Sequence, residues 1–143
     1  MHIPIKKLHH DAQPPRYATH DAAAFDLVAL EGAEIPPMFA ATIRTGLAFE
    51  VPPGYAMQIL SRSGHGFKHG VRLSNAVGLI DPDYRGEVMV RLHNDGDAPF
   101  TVEAGDRVAQ AMIVQAPRVT FAWADDLSST TRGDGGFGST GTK

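Results

Sequence analysis

Apolar and polar residues alternate with period two in several short runs, and proline, glycine and aspartate separate those runs. Ile3 to Leu8 alternates as a first strand should, and Thr42 to Val51 repeats the pattern with Ile43, Leu47, Phe49 and Val51 as its apolar side. Tyr55 to Leu60, Val77 to Ile80, Gly86 to Leu92, Phe100 to Val102 and Val119 to Trp123 read as further strands. Arg107 to Val114 is almost continuously apolar and predicts a mostly buried strand. Ala22 to Ala29 suits helix by its alanines and strand by Phe25 and Leu27, and the period does not decide between them. Pro36-Pro37 ends that segment, and Pro52-Pro53-Gly54, Asp95-Gly96-Asp97 and Glu103 to Asp106 have the chemistry of turns. Strands linked at such short spacing predict an antiparallel all-β domain rather than alternating strands and helices.

Asp81-Pro82-Asp83 lies between two of these runs, so Val77 to Ile80 and Gly86 to Leu92 are expected to pair as a hairpin. If such a hairpin opens at its turn, its free main-chain groups can read a flat heterocycle as they would another strand. Asp81 would then stand at the rim as a carboxylate able to polarise a water, with the Tyr84 ring beside it to press on a sugar. Taken alone, Asp-Pro-Asp-Tyr reads first as an ordinary turn with a tyrosine at a core edge, since Asp and Pro are among the commonest turn residues.

Length and composition narrow the classes. The 143 residues suffice for one domain with its own core, and the net charge is −3 without any basic stripe, which argues against a duplex nucleic acid as partner. A small polyanion held by a few local arginines stays open. There is no cysteine, which removes disulfide scaffolds, thiolate nucleophiles and cysteine-ligated zinc. No apolar run approaches the roughly 20 residues of a membrane span, and the first residues lack a secretory core, so a cytoplasmic protein is expected.

The remaining chemistry is local. Ser61-Arg62-Ser63-Gly64-His65-Gly66 follows a strand and has the makings of an anion-binding turn, Arg62 adding a forked donor set. His65 and His69 have the i,i+4 spacing of helix metal ligands, but glycines at 64, 66 and 70 argue against a helix there. His9, His10 and His20 match no ligand spacing and read as surface. Asp26, if buried, needs an arginine partner or a metal-bound phosphate nearby, and if exposed is an ordinary solvated acid. Gln110 is an amide within an apolar strand, which serves either a neighbouring backbone group or a ligand. Ser128 to Lys143 is rich in Gly, Ser and Thr, with Arg132 and Phe137 its large side chains, and cannot fold by itself.

In order, these stretches resemble the motifs of the trimeric, bacterial-type dUTP pyrophosphatase (dUTPase) family. Ala23-Ala24-Phe25-Asp26-Leu27 resembles the first motif, Arg62-Ser63-Gly64 the second, and Gly78-Leu79-Ile80-Asp81-Pro82-Asp83-Tyr84-Arg85-Gly86 the third. Gly105-Asp106-Arg107-Val108-Ala109-Gln110 resembles the fourth, and Arg132 through Gly141 the fifth. Two positions depart: Ser61 stands where the second motif has proline, and Ala24 where the first has glycine.

The resemblance implies a jelly-roll-like antiparallel β domain over residues 1–127 and a flexible glycine-rich arm over 128–143 that closes over an active site. It implies a homotrimer with sites shared between subunits. The implied reaction is hydrolysis of dUTP, with Mg²⁺, to dUMP and pyrophosphate, which limits uracil in DNA and supplies dUMP for thymidylate synthesis. Asp81 would activate the water and contact the sugar 3′-hydroxyl, Tyr84 would back the deoxyribose, and Asn75, Gly78, Leu79, Ile80 and Met89 would hold uracil. Arg62, Ser63 and Gly64 of a second subunit and Gln110 would bind phosphates, Asp26 would reach Mg²⁺ through water, and Arg132, Phe137, Ser139 and Thr140 would form the lid. Two alternatives share the scaffold: a dCTP deaminase and a non-catalytic nucleotide sensor.

Overall fold

A computed structural model describes residues 1–141; Thr142 and Lys143, the last two residues of the expected arm, lie outside the described residues. The elements in chain order are β1 (Ile5–Lys7), β2 (Arg16–Tyr17), β3 (Phe25–Val28), β4 (Ala33–Ile35), β5 (Ala40–Arg44), β6 (Leu47–Phe49) and β7 (Tyr55–Leu60). Then come α1 (Ser63–His69), β8 (Val71–Leu73), β9 (Val77–Ile80), β10 (Met89–Asn94), β11 (Phe100–Val102) and β12 (Arg107–Gln115). Every pairing is antiparallel, in sheets ordered β2-β3-β12-β7-β9, β5-β10-β8, β1-β6 and β11-β4. The all-β expectation holds, with one short helix. No helix among the described residues is long and apolar enough to cross a membrane.

The core lies between these sheets, and Leu27, Ile35, Ile43, Leu47, Met57, Leu73, Leu92 and Val108 are among its buried side chains. Strand β12 is the spine of the largest sheet, running between β3 and β7, with a register shift between Arg107 and Ala109. Ala22 to Ala29 resolves as strand β3. Ala24 is not among the residues with positive φ, so the glycine of the family pattern is not required there for backbone reasons.

Four local expectations are corrected. The run from Thr42 to Val51 is two strands, broken where Gly46 takes φ of 69° and the Thr45 hydroxyl donates to the Val88 carbonyl at 2.6 Å. Residues 63–69 do form a helix despite their glycines. Gly70 caps it in the left-handed conformation, and His65 and His69 both set their rings on Phe100, so packing and the cap outweigh intrinsic propensity.

The hairpin is absent: β9 pairs with β7 and β10 pairs with β5 and β8, so the two runs flank a turn without forming a ladder. Gly78 makes the β7 pairing possible, because a Cβ there would stand 3.0 Å from the Ile59 Cβ. Val119 to Trp123 is not a strand either; Val119, Phe121 and Trp123 lie exposed beyond β12. Alternation marks a face that wants burial, and within the described chain nothing covers this one.

Candidate active site

The absent ladder leaves an opening in its place. Strand β8 follows β10 as far as the Ser74 N–H, which donates to the Arg91 carbonyl at 2.8 Å. The chain then turns at Asn75 and Ala76, the latter at φ of 60°, and β9 leaves to join β7. The outer edge of β9 and the first residues of β10 therefore part like a fork, each with main-chain groups facing the gap. One recess of about 360 Å³ is lined by Ile59, Leu73, Asn75, Gly78, Met89 and Arg91. A smaller one of about 200 Å³ is lined by Leu79, Ile80, Asp81, Tyr84, Glu87 and Met89. Met89 borders both. Val77, Leu79, Tyr84 and Met89 form an exposed apolar surround, which a folded domain keeps where something binds.

The rim is held in shape by contacts that have no sequence signature. Glu87 accepts the Arg44 Nε–H between its two oxygens, at 3.2 and 3.1 Å, and the Gly46 N–H at 2.8 Å. With the Thr45 bond to Val88, this ties the end of the turn to the β5–β6 corner. The Tyr84 hydroxyl donates to the Glu87 carbonyl at 3.0 Å, so the ring folds back over its own turn. A Cβ on residue 86 would lie 2.4 Å from that hydroxyl, which is why glycine follows Arg85. Asp81 stays exposed at the mouth. Glu87 and Arg44, missed in the sequence, are the residues that position this wall.

A second group forms on the β3-β12-β7 ladder. Asp26 stands opposite Gln110, and Gln110 opposite Leu60, two residues before Arg62. Asp26 is only 3 % exposed. Its Oδ2 accepts from Arg107 Nη1 at 3.2 Å, and its Oδ1 lies 3.6 Å from Arg62 Nε without a hydrogen-bond partner among the described residues. The buried acid thus has the arginine partners its burial demands. Arg62 Nη1 also donates to the Arg107 carbonyl at 2.8 Å. Ser63 and Gly64 open α1, where first-turn N–H groups have no intrahelical acceptor. Ser61, in the proline position of the family pattern, accepts a hydrogen bond from the Leu73 N–H at 2.9 Å, so a side-chain tie replaces a stiff ring.

Asp81 and Arg62 are not brought together within one chain. Val77 is opposite Leu60 and Ile80 opposite Met57, so the two residues lie beyond opposite ends of the β7–β9 ladder, on the order of 13 Å apart or more at the usual strand rise. Arg132, Phe137, Ser139 and Thr140 are exposed in the last segment and line neither recess; Arg132 Nε donates to the Gly135 carbonyl at 2.7 Å, a contact internal to that segment.

The order of these features along the chain matches a known family throughout. The dUTPase family model covers residues 10–141. The chain belongs to the dUTPase family. A deoxyuridine 5′-triphosphate nucleotidohydrolase from Wolinella succinogenes is 45% identical over 99% of this chain and 95% of its own. The protein of that name from Hydrogenobaculum is 45% identical over 100% of both chains. Among solved structures, a Staphylococcus bacteriophage 80alpha dUTPase with dUPNHPP superposes with a TM-score of 0.91 at 25% identity, covering 98% of each chain. The dUTPase fold is therefore present here.

Proposed function

We propose that this chain is a dUTP diphosphatase that hydrolyses dUTP to dUMP and pyrophosphate by attack of water on the α-phosphorus. The reading rests on the fork between β9 and β10, whose free strand edges, apolar lining and rim carboxylate suit a flat base, a sugar and an attacking water in that order. Uracil would be read by Asn75 and by backbone at Gly78, Leu79, Ile80 and Met89, since fixed donors and acceptors that match uracil mismatch cytosine. Tyr84 would lie on the deoxyribose face, and Asp81 would take the proton of the attacking water while accepting from the 3′-hydroxyl. Removing dUTP would limit uracil in DNA, and the dUMP formed would serve thymidylate synthesis.

Arg62, Ser63, Gly64 and Gln110 would hold the phosphates. Because the two residue groups are separated within one chain, the complete site would join the fork of one subunit to the arginine loop of another in a homotrimer. The exposed row Val119, Phe121 and Trp123, without cover among the described residues, supports that assembly. Residues 128–143 would act as the arm, with Arg132 on phosphate, Phe137 stacked on the base, and Ser139 and Thr140 closing the lid.

The residues also fit a divalent cation. Asp26 Oδ1 is a buried acceptor left without a hydrogen bond, and its carboxylate is already flanked by two guanidinium groups. That donor set suits an outer-sphere role, accepting from a water of a phosphate-bound Mg²⁺ rather than ligating it. Mg²⁺ when bound would neutralise triphosphate charge.

Incubating the protein with each dNTP and with UTP in the presence of Mg²⁺, and measuring pyrophosphate, monophosphate and ammonia, tests the proposal. dUMP and pyrophosphate from dUTP alone are expected. Ammonia from dCTP would turn the reading to the deaminase of this fold, and binding without turnover would turn it to a nucleotide sensor.

A further inference from the structure

One side chain beside the phosphate-binding loop has no part in the roles described so far. His65, in the first turn of α1, packs edge-on against Phe100 with ring centroids 5.1 Å apart. Its Nε2 lies 2.8 Å from the Arg107 carbonyl oxygen and 3.0 Å from Arg62 Nη1, while Arg62 Nη1 is itself 2.8 Å from the same oxygen. Three groups thus share one corner, and their hydrogen-bonding capacities conflict. Arg62 can only donate, and the carbonyl can only accept. A neutral imidazole has two tautomers: with Nε2 protonated it donates to the carbonyl, and with Nε2 bare it accepts from Arg62 and leaves the carbonyl to the guanidinium, so only a neutral ring can offer Arg62 an acceptor. An imidazolium must donate from Nε2, so it takes the carbonyl and sets a second positive charge against Arg62.

We propose that His65 is a positioning residue for Arg62: its neutral ring holds the guanidinium on the Arg107 carbonyl, and its protonated ring displaces it toward Asp26, weakening the grip on phosphate as pH falls. This rests on the phosphate-binding role given to Arg62 above. The charges around the ring agree with the direction. Arg62 and His69 oppose a proton on His65; Asp106 and the Arg107 carbonyl favour it; Asp26 faces Arg62 from β3 and is the acceptor left for a displaced guanidinium. Burial opposes the proton most strongly, and the balance places His65 below the ordinary histidine value. The neutral ring, the one protonation state able to accept from Arg62, therefore prevails at neutral pH, and the change falls on the acid side of the usual histidine range.

The test compares wild type with His65→Gln, which is neutral at every pH and keeps a hydrogen-bonding head, and with His65→Leu, which keeps the packing on Phe100. The measured quantities are KM for dUTP and the dissociation constant of inorganic tripolyphosphate, each between about pH 7.5 and about pH 5. Protonation of the ligand itself is common to all three proteins, so the ratio to the variants isolates His65. Wild type should lose about three- to tenfold more affinity toward acid than either variant, with kcat changing less than KM, in keeping with tenfold per pKa unit of coupling. Parallel profiles in all three proteins would overturn the proposal.

An NMR titration supplies a readout free of activity. The His65 resonance should titrate below the ordinary histidine value in wild type and move upward in Arg62→Met, and an unmoved midpoint would also overturn the coupling. If dUTP is not hydrolysed at any pH, the functional reading fails, while tripolyphosphate binding and the NMR midpoint still decide the role of His65.

Discussion

The fork at β9 and β10 and the segment after Gln115 are both expected to touch the same nucleotide, and they are built in opposite ways. The fork is fixed by its own chain: Glu87 is held by Arg44 and Gly46, Tyr84 is tied to Glu87, and Gly78 is seated on Ile59. The terminal segment carries Phe121, Trp123, Leu127 and Phe137 fully in the open, and its hydrogen bonds beyond Ala116 are to near neighbours in sequence. One region is preorganised, so its binding surface costs little to present. The other has apolar area whose burial must come from another surface, and ordering it is a cost met on binding.

The largest expected break in this contrast is chemical. Asp81→Asn keeps the fork and removes the proton acceptor at its mouth, so kcat for dUTP should fall about a hundred- to ten-thousand-fold while nucleotide still binds. Near-normal turnover would take Asp81 out of the mechanism. Removing residues 132–143 should also be severe, lowering turnover at least about tenfold by leaving the site open to water, yet the melting temperature should barely move. A large drop in melting temperature would show that the terminal segment carries stability as well as closure.

The two regions also differ in how far the sequence revealed them. Motif residues and turn chemistry put Asp81, Tyr84 and Asn75 in one stretch, and strand-like runs marked β1, β5, β6, β7, β9, β10, β11 and β12, while β3 was left open and the short strands β2, β4 and β8 carried too few residues for a pattern to show. Partner choice was not legible: β9 and β10 adjoin in sequence, yet the seat of Gly78 on Ile59 sends β9 to a different sheet. Helix α1 was hidden by glycines whose low propensity is outweighed by the Gly70 cap and by Phe100. The brace from Glu87 to Arg44 spans 43 residues and joins two ordinary surface-type amino acids, so nothing local announces it.

That brace gives an intermediate effect. Glu87→Ala leaves the Gly46 N–H without its acceptor and Arg44 without its partner, at a cost of about 1–3 kcal/mol in unfolding free energy, read from urea melts. Because the loss loosens one wall of the recess, KM for dUTP should rise as well. Stability lost with KM unchanged would mean that the brace serves the fold and not the site.

The smallest effect isolates the contrast in the backbone itself. Ala76, between the last rung of β8 and the start of β9, has φ of 60°, and Phe137, in the terminal segment, has φ of 39°. Both are left-handed non-glycine residues, a conformation that costs roughly 1–2 kcal/mol when it is enforced. Ala76 is enforced, since Asn75 must face the recess while Val77 enters the ladder with β7. Phe137 sits in a turn that can relax into other conformations at little cost. Ala76→Gly should therefore relieve strain, offset in part by the greater freedom of glycine in the unfolded chain, for a net gain of less than about 1 kcal/mol. Phe137→Gly should leave the melt unchanged. Equal shifts in the two variants would mean that the surroundings constrain both positions alike, and the distinction between a preorganised fork and an unbraced arm would fail at the level of the chain's own dihedrals.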